Sequence, residues 1–205
     1  KIEVFSSKRL LDEELNDKGN LKKNLIYENI KYFSTNNINN YKQIYKSISN
    51  KSIGIGFGET WSFSSKIIDA FNKVYLLDYM GIPLPRYRGG AHFSWMILQN
   101  EKNNGACLQI INIDMVQGQF DSGEIVSQIK FKNNNKWKVE DYFLQQCFVA
   151  KKIIYNFLKK LNKKNIKSKK VNEKENYYLP RLNTKLNGWI NWYTWNSNEI
   201  IRFIK

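Results

Sequence analysis

Two aspartates, one histidine and two arginines hold most of the chemistry open to this chain. Asp78 closes an apolar run that begins at Val74, and Asp121 stands in an Asp121-Ser122-Gly123 turn after a second apolar run, 107–113. Between them lie the loop Leu84-Pro85-Arg86-Tyr87-Arg88-Gly89-Gly90 and the sole histidine, His92. Two carboxylates held close together disfavour each other's charge. One of such a pair can keep its proton in an apolar site and donate a hydrogen bond to a developing negative charge. Its ionised partner can accept a proton. Arg86 and Arg88 are candidates for holding a phosphate or another anionic acceptor, helped by a helix N-terminus after Gly90. For both, bracing the loop is the alternative. His92 joins this substrate-facing set, with packing or capping at the helix start as its alternative.

These residues need elements to position them. A short apolar run at 2–5 reads as a strand, 8–15 and 21–29 as helices, and 30–33 as a strand. Over 41–48, apolar residues spaced by three and four predict an amphipathic helix. Residues 52–57 read as a buried strand, 64–71 as a helix with Ser64 or Ser65 at its start, and 74–78 as the next strand. LPRYRGG reads as a loop, then a helix, then strands at 105–114 and 124–131. A long helix is predicted over 139–161, with Phe143, Cys147, Ala150, Ile154, Phe157 and Leu161 inward. The alternation of strand and helix implies an α/β fold with a mostly parallel, doubly wound sheet. Ligands of such sheets bind beyond the carboxyl ends of the strands, where Asp78 and Asp121 stand. The expected division is an α/β domain at 1–162, then a charged linker and a C-terminal segment at 163–205.

Composition narrows the function classes. With 205 residues, 42% of them apolar and 15% aromatic, the chain can bury a full core. The formal net charge is +15. Lysine is scattered along the chain in company with an excess of Asn and Ile, which reads as compositional bias, so a nucleic-acid partner is not expected. No apolar run approaches the ~18 residues of a membrane span. Residues 1–7 lack the apolar core of a signal peptide, and a cytoplasmic location is the expectation. Two cysteines, Cys107 and Cys147, make no disulfide framework. HExxH, CxxC, GxSxG and GxxxxGK[ST] are absent, and no metal site is expected. Gly54-Ile55-Gly56-Phe57-Gly58 lacks a third glycine at the dinucleotide-binding offset, where Glu59 stands.

The segments LPRYRGG and DSGEIV resemble the folate-dependent formyltransferase family, whose pattern is strand, Asn-x-His, Leu-Pro, Arg-Gly, helix, strand, then Asp-Thr/Ser-Gly. The tail, Tyr178-Leu179-Pro180-Arg181 and Gly188-Trp189-Ile190, is also similar. It looks closer to amino-sugar N-formyltransferases than to the tRNA enzymes. The resemblance is sharpest over 52–128 and 178–205. It implies transfer of a formyl group from 10-formyltetrahydrofolate, as co-substrate, to an amine, an amino-sugar nucleotide being preferred over methionyl-tRNA. It places the family Asp on Asp121, the family Asn on Asp78 and the family His on Met80. It also places Glu59, Thr60 and Trp61 on one side of a folate pocket and Gln117, Gly118 and Gln119 on the other. A chain of this family begins with a further strand and helix, so a truncated N-terminus is expected. A homo-oligomer is open. The alternative reading is a catalytically inactive homologue that binds folate or a sugar nucleotide, because Asp78 and Met80 depart from the family pattern.

Overall fold

In a computed structural model, the chain is described over residues 1–14, 19–58, 61–71, 75–119 and 121–204. The elements in order are β1 (Glu3–Ser6), α1 (Lys8–Asp12), α2 (Leu21–Tyr27), β2 (Lys31–Ser34), α3 (Lys42–Ser47), β3 (Ile53–Phe57), α4 (Ser65–Ala70), β4 (Tyr75–Met80), β5 (Arg86–Gly89), α5 (His92–Leu98), β6 (Asn103–Ile110), α6 (Ile113–Val116), β7 (Ile125–Lys132), α7 (Val139–Asn162), β8 (Tyr177–Leu179), α8 (Thr184–Asn187) and α9 (Ser197–Ile204). Among the described residues, β1 pairs with β2, β3, β4, β6 and β7 are ordered β3-β4-β6-β7, and β5 pairs with β8. The architecture is mixed α/β with a mostly parallel sheet. The β1–β2 and β5–β8 ladders are parallel, and β6–β7 is antiparallel.

The chain divides into two compact units, Lys1–Leu77 and Asp78–Lys205. In the first, Ser7 caps α1 by accepting from Leu10 N, and Asn20 caps α2 by accepting from Lys23 N. Such caps satisfy amides that the helix itself cannot. Phe5 stacks on Phe33 across the β1–β2 ladder at 4.9 Å between centroids. Leu11, Leu25, Ile38, Ile44, Ile67, Phe71, Leu76 and Leu77 are buried. Gly54 admits no side chain: a Cβ there would lie 2.7 Å from Leu76 Cδ1.

The second unit is built on a cluster of Ile82, Leu84, Tyr87, Met96, Ile97, Cys107, Tyr142 and Leu179. Gln146 of α7 ties the ends of two strands together. Its Nε2 donates to Gly81 O at 2.9 Å and to Gly105 O at 3.2 Å, and its Oε1 accepts from the Tyr79 hydroxyl at 2.6 Å. One side-chain amide thus serves carbonyls at the end of β4 and within β6.

Three expectations are corrected. Residues 105–114 are not one strand: β6 stops at Ile110, and Asn112 accepts from Met115 N to start the short α6. LPRYRGG is not wholly loop, because Arg86–Gly89 form β5 against β8, with Leu84–Pro85 cis. The inward stripe of α7 is Tyr142, Gln146, Val149, Ile153 and Phe157, while Phe143 and Cys147 are exposed. The helix carries apolar residues on nearly all sides of its first half, so spacing alone could not select the buried one.

Candidate active site

Asp78 sits in β4, and its side chain leaves the strand toward β6. There Gln109, fully buried, donates from Nε2 to Asp78 Oδ2 at 3.0 Å and reaches Asp121 Oδ1 at 3.5 Å. One amide nitrogen carries two hydrogens, so it can serve both carboxyls. That sets the orientation of the amide, since its oxygen facing two carboxylates would be repelled. Gln109 Oε1 and Ser122 Oγ, both buried, have no hydrogen-bond partner among the described residues.

Asp121 is held by its turn. Its φ is +59°, a region that Asp tolerates better than most residues. Gly123 behind it has no room for a side chain, because a Cβ would lie 1.9 Å from Ile110 O. The glycine of the Asp-Ser-Gly motif thus lets the loop pack onto the end of β6. Burial pushes the Asp121 carboxyl above the usual carboxylate range. The Gln109 hydrogen bond, the charges of His92 and Arg88, and the Gly89 amide all pull it back.

His92 opens α5, with Nε2 donating to Gly89 O at 2.9 Å. Burial holds its pKa below the ordinary imidazole value, while the Gly89 carbonyl and the Asp121 charge act the other way. A neutral imidazole with Nε2 protonated leaves Nδ1 as the acceptor nitrogen. Arg88 is buried, and its charge acts on Asp121. Arg86 is exposed and ion-pairs with Glu101 at 3.7 Å, beside the Tyr87 hydroxyl that donates to the same carboxylate. In that position Arg86 braces the loop. The tail adds to the brace: Gly90 N donates to Leu179 O at 3.0 Å, and Trp95 Nε1 donates to Pro180 O at 2.8 Å.

The chain therefore gathers Asp78 and Asp121 around one buried amide, Gln109, with the charges of His92 and Arg88 acting on Asp121. Gln109 lies inside the apolar run Cys107–Ile111, where a lone polar residue was the available signal. Met80 packs against the apolar cluster of the second unit. Gln117, Gly118 and Gln119 are exposed after α6, on the approach to Asp121. Trp61 belongs to the first unit, where its indole donates to Asn36 O at 3.0 Å. Glu59 and Thr60 lie outside the described residues.

No protein-family model matches the chain. It is 25% identical, over its whole length, to the bifunctional polymyxin resistance protein ArnA of Wigglesworthia glossinidia brevipalpis, of which it covers 31%. It is 26% identical to the methionyl-tRNA formyltransferase of Malacoplasma penetrans over 69% of the chain and 42% of that protein. The chain thus spans roughly a third of the length of the curated relatives it matches. Its fold superposes on the N-formyltransferase of Helicobacter canadensis, solved with folinic acid and dTDP-3-aminofucose. The TM-score is 0.75 at 19% identity, covering 98% of this chain and 68% of that one. Among the described residues, no helix is long and apolar enough to cross a membrane. In fold and in sequence, and with a DSG loop beside its carboxyl pair, this chain is similar to formyltransferases.

Proposed function

We propose that this chain transfers a formyl group from 10-formyltetrahydrofolate to the amino group of an amino-sugar nucleotide. The observation that carries the reading is the Asp78–Gln109–Asp121 cluster, set beside His92 and Arg88 in a formyltransferase fold. The folate supplies the formyl carbon. The chain's own groups then have three tasks. An attacking amine must lose a proton, the carbonyl oxygen gathers negative charge, and the departing nitrogen must regain a proton. A carboxyl pair sharing one proton can do the first and the last, one oxygen accepting while the other donates. Gln109 keeps the pair at one place, so the exchange needs no large movement. Neutral His92 is a second acceptor for the amine proton. Arg88 supplies positive charge near the anion that develops. The partnerless Gln109 Oε1 and Ser122 Oγ fit a polar ligand that brings its own donors and acceptors.

The assay is release of tetrahydrofolate together with N-formyl product from a dTDP-linked 3-amino sugar. Turnover in the wild type and its loss in Asp121→Asn support the reading. Absence of both binding and turnover sinks it.

Met80 favours a second reading, a homologue that binds without turnover. It fills an apolar cluster at the position where the family resemblance puts a histidine, and a thioether has no proton to move. Restoring the pattern with Asp78→Asn and Met80→His separates the two. A gain of at least about a hundredfold in formyl transfer marks a pocket that binds but lacks its proton-moving groups. A loss of existing activity marks the Asp78 arrangement as the working one.

A further inference from the structure

Helix α9 and the segment before it pack on α5 and enclose a cavity of about 330 Å³. That is the small end of the range for small-molecule sites. Asp78, Arg88, His92, Gln109 and Asp121 do not line it. Its walls carry the rings of Trp95, Trp189, Trp195 and Phe203, with Glu199 among them. The chain has 33 Lys and Arg against 18 Asp and Glu, yet the charged residue on this wall is an acid.

Local structure fixes each of these groups. Glu199 and Phe203 stand four apart in α9, so they share a face. Trp195 precedes the helix, and its ring meets that of Phe203 at 5.2 Å between centroids and 62° between planes. The other two indoles have spent their donors on the backbone. Trp95 Nε1 donates to Pro180 O at 2.8 Å, and Trp189 Nε1 donates to Lys185 O at 2.9 Å. Those bonds hold the rings and leave a ligand their carbon surface. Asn196 N donates to Glu199 Oε2 at 2.7 Å, and Glu199 N donates to Asn196 Oδ1 at 3.1 Å, a reciprocal cap that holds the carboxylate in place.

These groups select a charge and a shape. The face of an aromatic ring is negative and attracts a cation, most strongly in Trp. The carboxylate adds a full negative charge. Hydrogen-bond acceptors are scarce. Asn187, also on the wall, has its Oδ1 committed to Asn183 N at 3.0 Å, which leaves the Glu199 carboxylate as the chief side-chain acceptor. A primary ammonium has three N–H donors and is strongly hydrated, so it loses more than it gains here. A quaternary ammonium has no N–H to satisfy, and its methyl groups suit ring surfaces. Repulsion from the net charge of +15 is screened within about 8 Å at physiological salt, so the nearest carboxylate decides.

We infer that this cavity binds a small molecule bearing a trimethylammonium group. Binding here needs neither folate nor an amine acceptor, so it is measured in their absence and stands or falls apart from formyl transfer.

The test titrates the 205-residue chain with choline and with two controls. One is the neutral alcohol in which a carbon replaces the choline nitrogen. The other is ethanolamine, which keeps the charge and exposes N–H. Tryptophan fluorescence and calorimetry follow the titration. Choline is expected to saturate with a Kd below about 1 mM, at least about tenfold more tightly than either control. Glu199→Gln, which still accepts from Asn196, weakens choline at least about fivefold. Trp189→Leu, at a side chain 73% exposed, weakens it at least about tenfold. Circular dichroism confirms that both variants are folded. No saturation at millimolar choline overturns the inference. Equal binding of the neutral alcohol does so too, since it marks a merely apolar hole, and equal binding of ethanolamine marks charge alone. Choline binding unchanged in either variant places the ion elsewhere on the chain and also overturns it.

Discussion

Replacing Gln109 by leucine separates charge from packing at the site. The substitution keeps the volume of a fully buried side chain and removes the Nε2 donor shared by Asp78 and Asp121. It also removes Oε1, which has no partner to lose. A hydrogen bond to a charged group is worth about 1.5–3 kcal/mol, and the Gln109 bond holds the Asp121 pKa down, so its loss raises that pKa further. The direction of the pH effect follows from linkage. Burial raises the folded-state pKa of Asp121 above the reference 3.8, so the folded chain holds a proton that the unfolded chain has released. Stability therefore falls as pH climbs from the unfolded value to the folded one, then levels off. Without Gln109 that falling window extends higher. The variant's deficit should shrink as pH falls through the window in which Asp121 takes up its proton. At pH 7 the variant should be about 1.5–3 kcal/mol less stable, toward the lower figure because both aspartates are only half buried. Urea unfolding followed by circular dichroism from pH 4 to pH 8 measures this. An equal deficit at every pH would mean a packing defect. No deficit at any pH would mean that the amide does not bond ionised carboxyls, and the account of the site fails.

Four further outcomes follow from the same geometry. The single histidine gives one imidazole resonance, and its NMR titration midpoint should lie below 6.5 because burial depresses it; stability linked to His92 is then lost as pH falls below 6.5, and a midpoint at or above 6.5 would refute the burial argument. Asp121→Asn should lower that midpoint further by removing a charge that favours the imidazolium, and an unchanged midpoint would place the two groups out of reach of each other. Gly123→Ala should cost about 3 kcal/mol in chemical unfolding, since the new Cβ meets a backbone oxygen and the loop must shift; a loss under about 0.5 kcal/mol would show that this loop does not pack as described. Gln146→Leu should cost a similar amount, about 3 kcal/mol, because it removes the donor to the Gly81 and Gly105 carbonyls, while the Tyr79 hydroxyl keeps the backbone carbonyl of residue 146; a loss under about 0.5 kcal/mol in chemical unfolding would show that the amide does not hold these carbonyls.

The sequence carried the site's acidic members well and its amide not at all. Asp78 and Asp121 were legible because each follows an apolar run and each strand direction sends its end toward the same edge. Gln109 was hidden because a strand interior gives no local cue for a buried donor; only the two carboxyls across the gap explain it. The β5–β8 ladder was equally hidden. Arg86–Gly89 is a short stretch rich in charge and glycine, and its partner lies 90 positions later. Local propensity cannot report a pairing of that range. The end of β6 was misjudged for the opposite reason: the apolar run continues past Ile110, and the Asn112 cap that ends it sits among apolar neighbours. Along α7 the apolar residues outnumber the positions that the second unit can cover. The excess is what leaves Phe148 and Tyr155 in water.

The long separation within the β5–β8 ladder has a consequence for biosynthesis. At about 5–20 residues per second, the ribosome takes on the order of 5–20 s to travel from Gly89 to Leu179. During that interval the strand that leads into His92 has no partner, Gly90 N has no Leu179 carbonyl, and the Trp95 indole has no Pro180 carbonyl. The β5 strand and the start of α5 are therefore fixed late, after the carboxyls themselves have been made. A nascent chain arrested before β8 would carry every acid of the site and still lack the strand that fixes its wall. In this fold the segment that carries β8 acts as a completion signal, so a polypeptide ended before it exposes an unpaired edge to quality control.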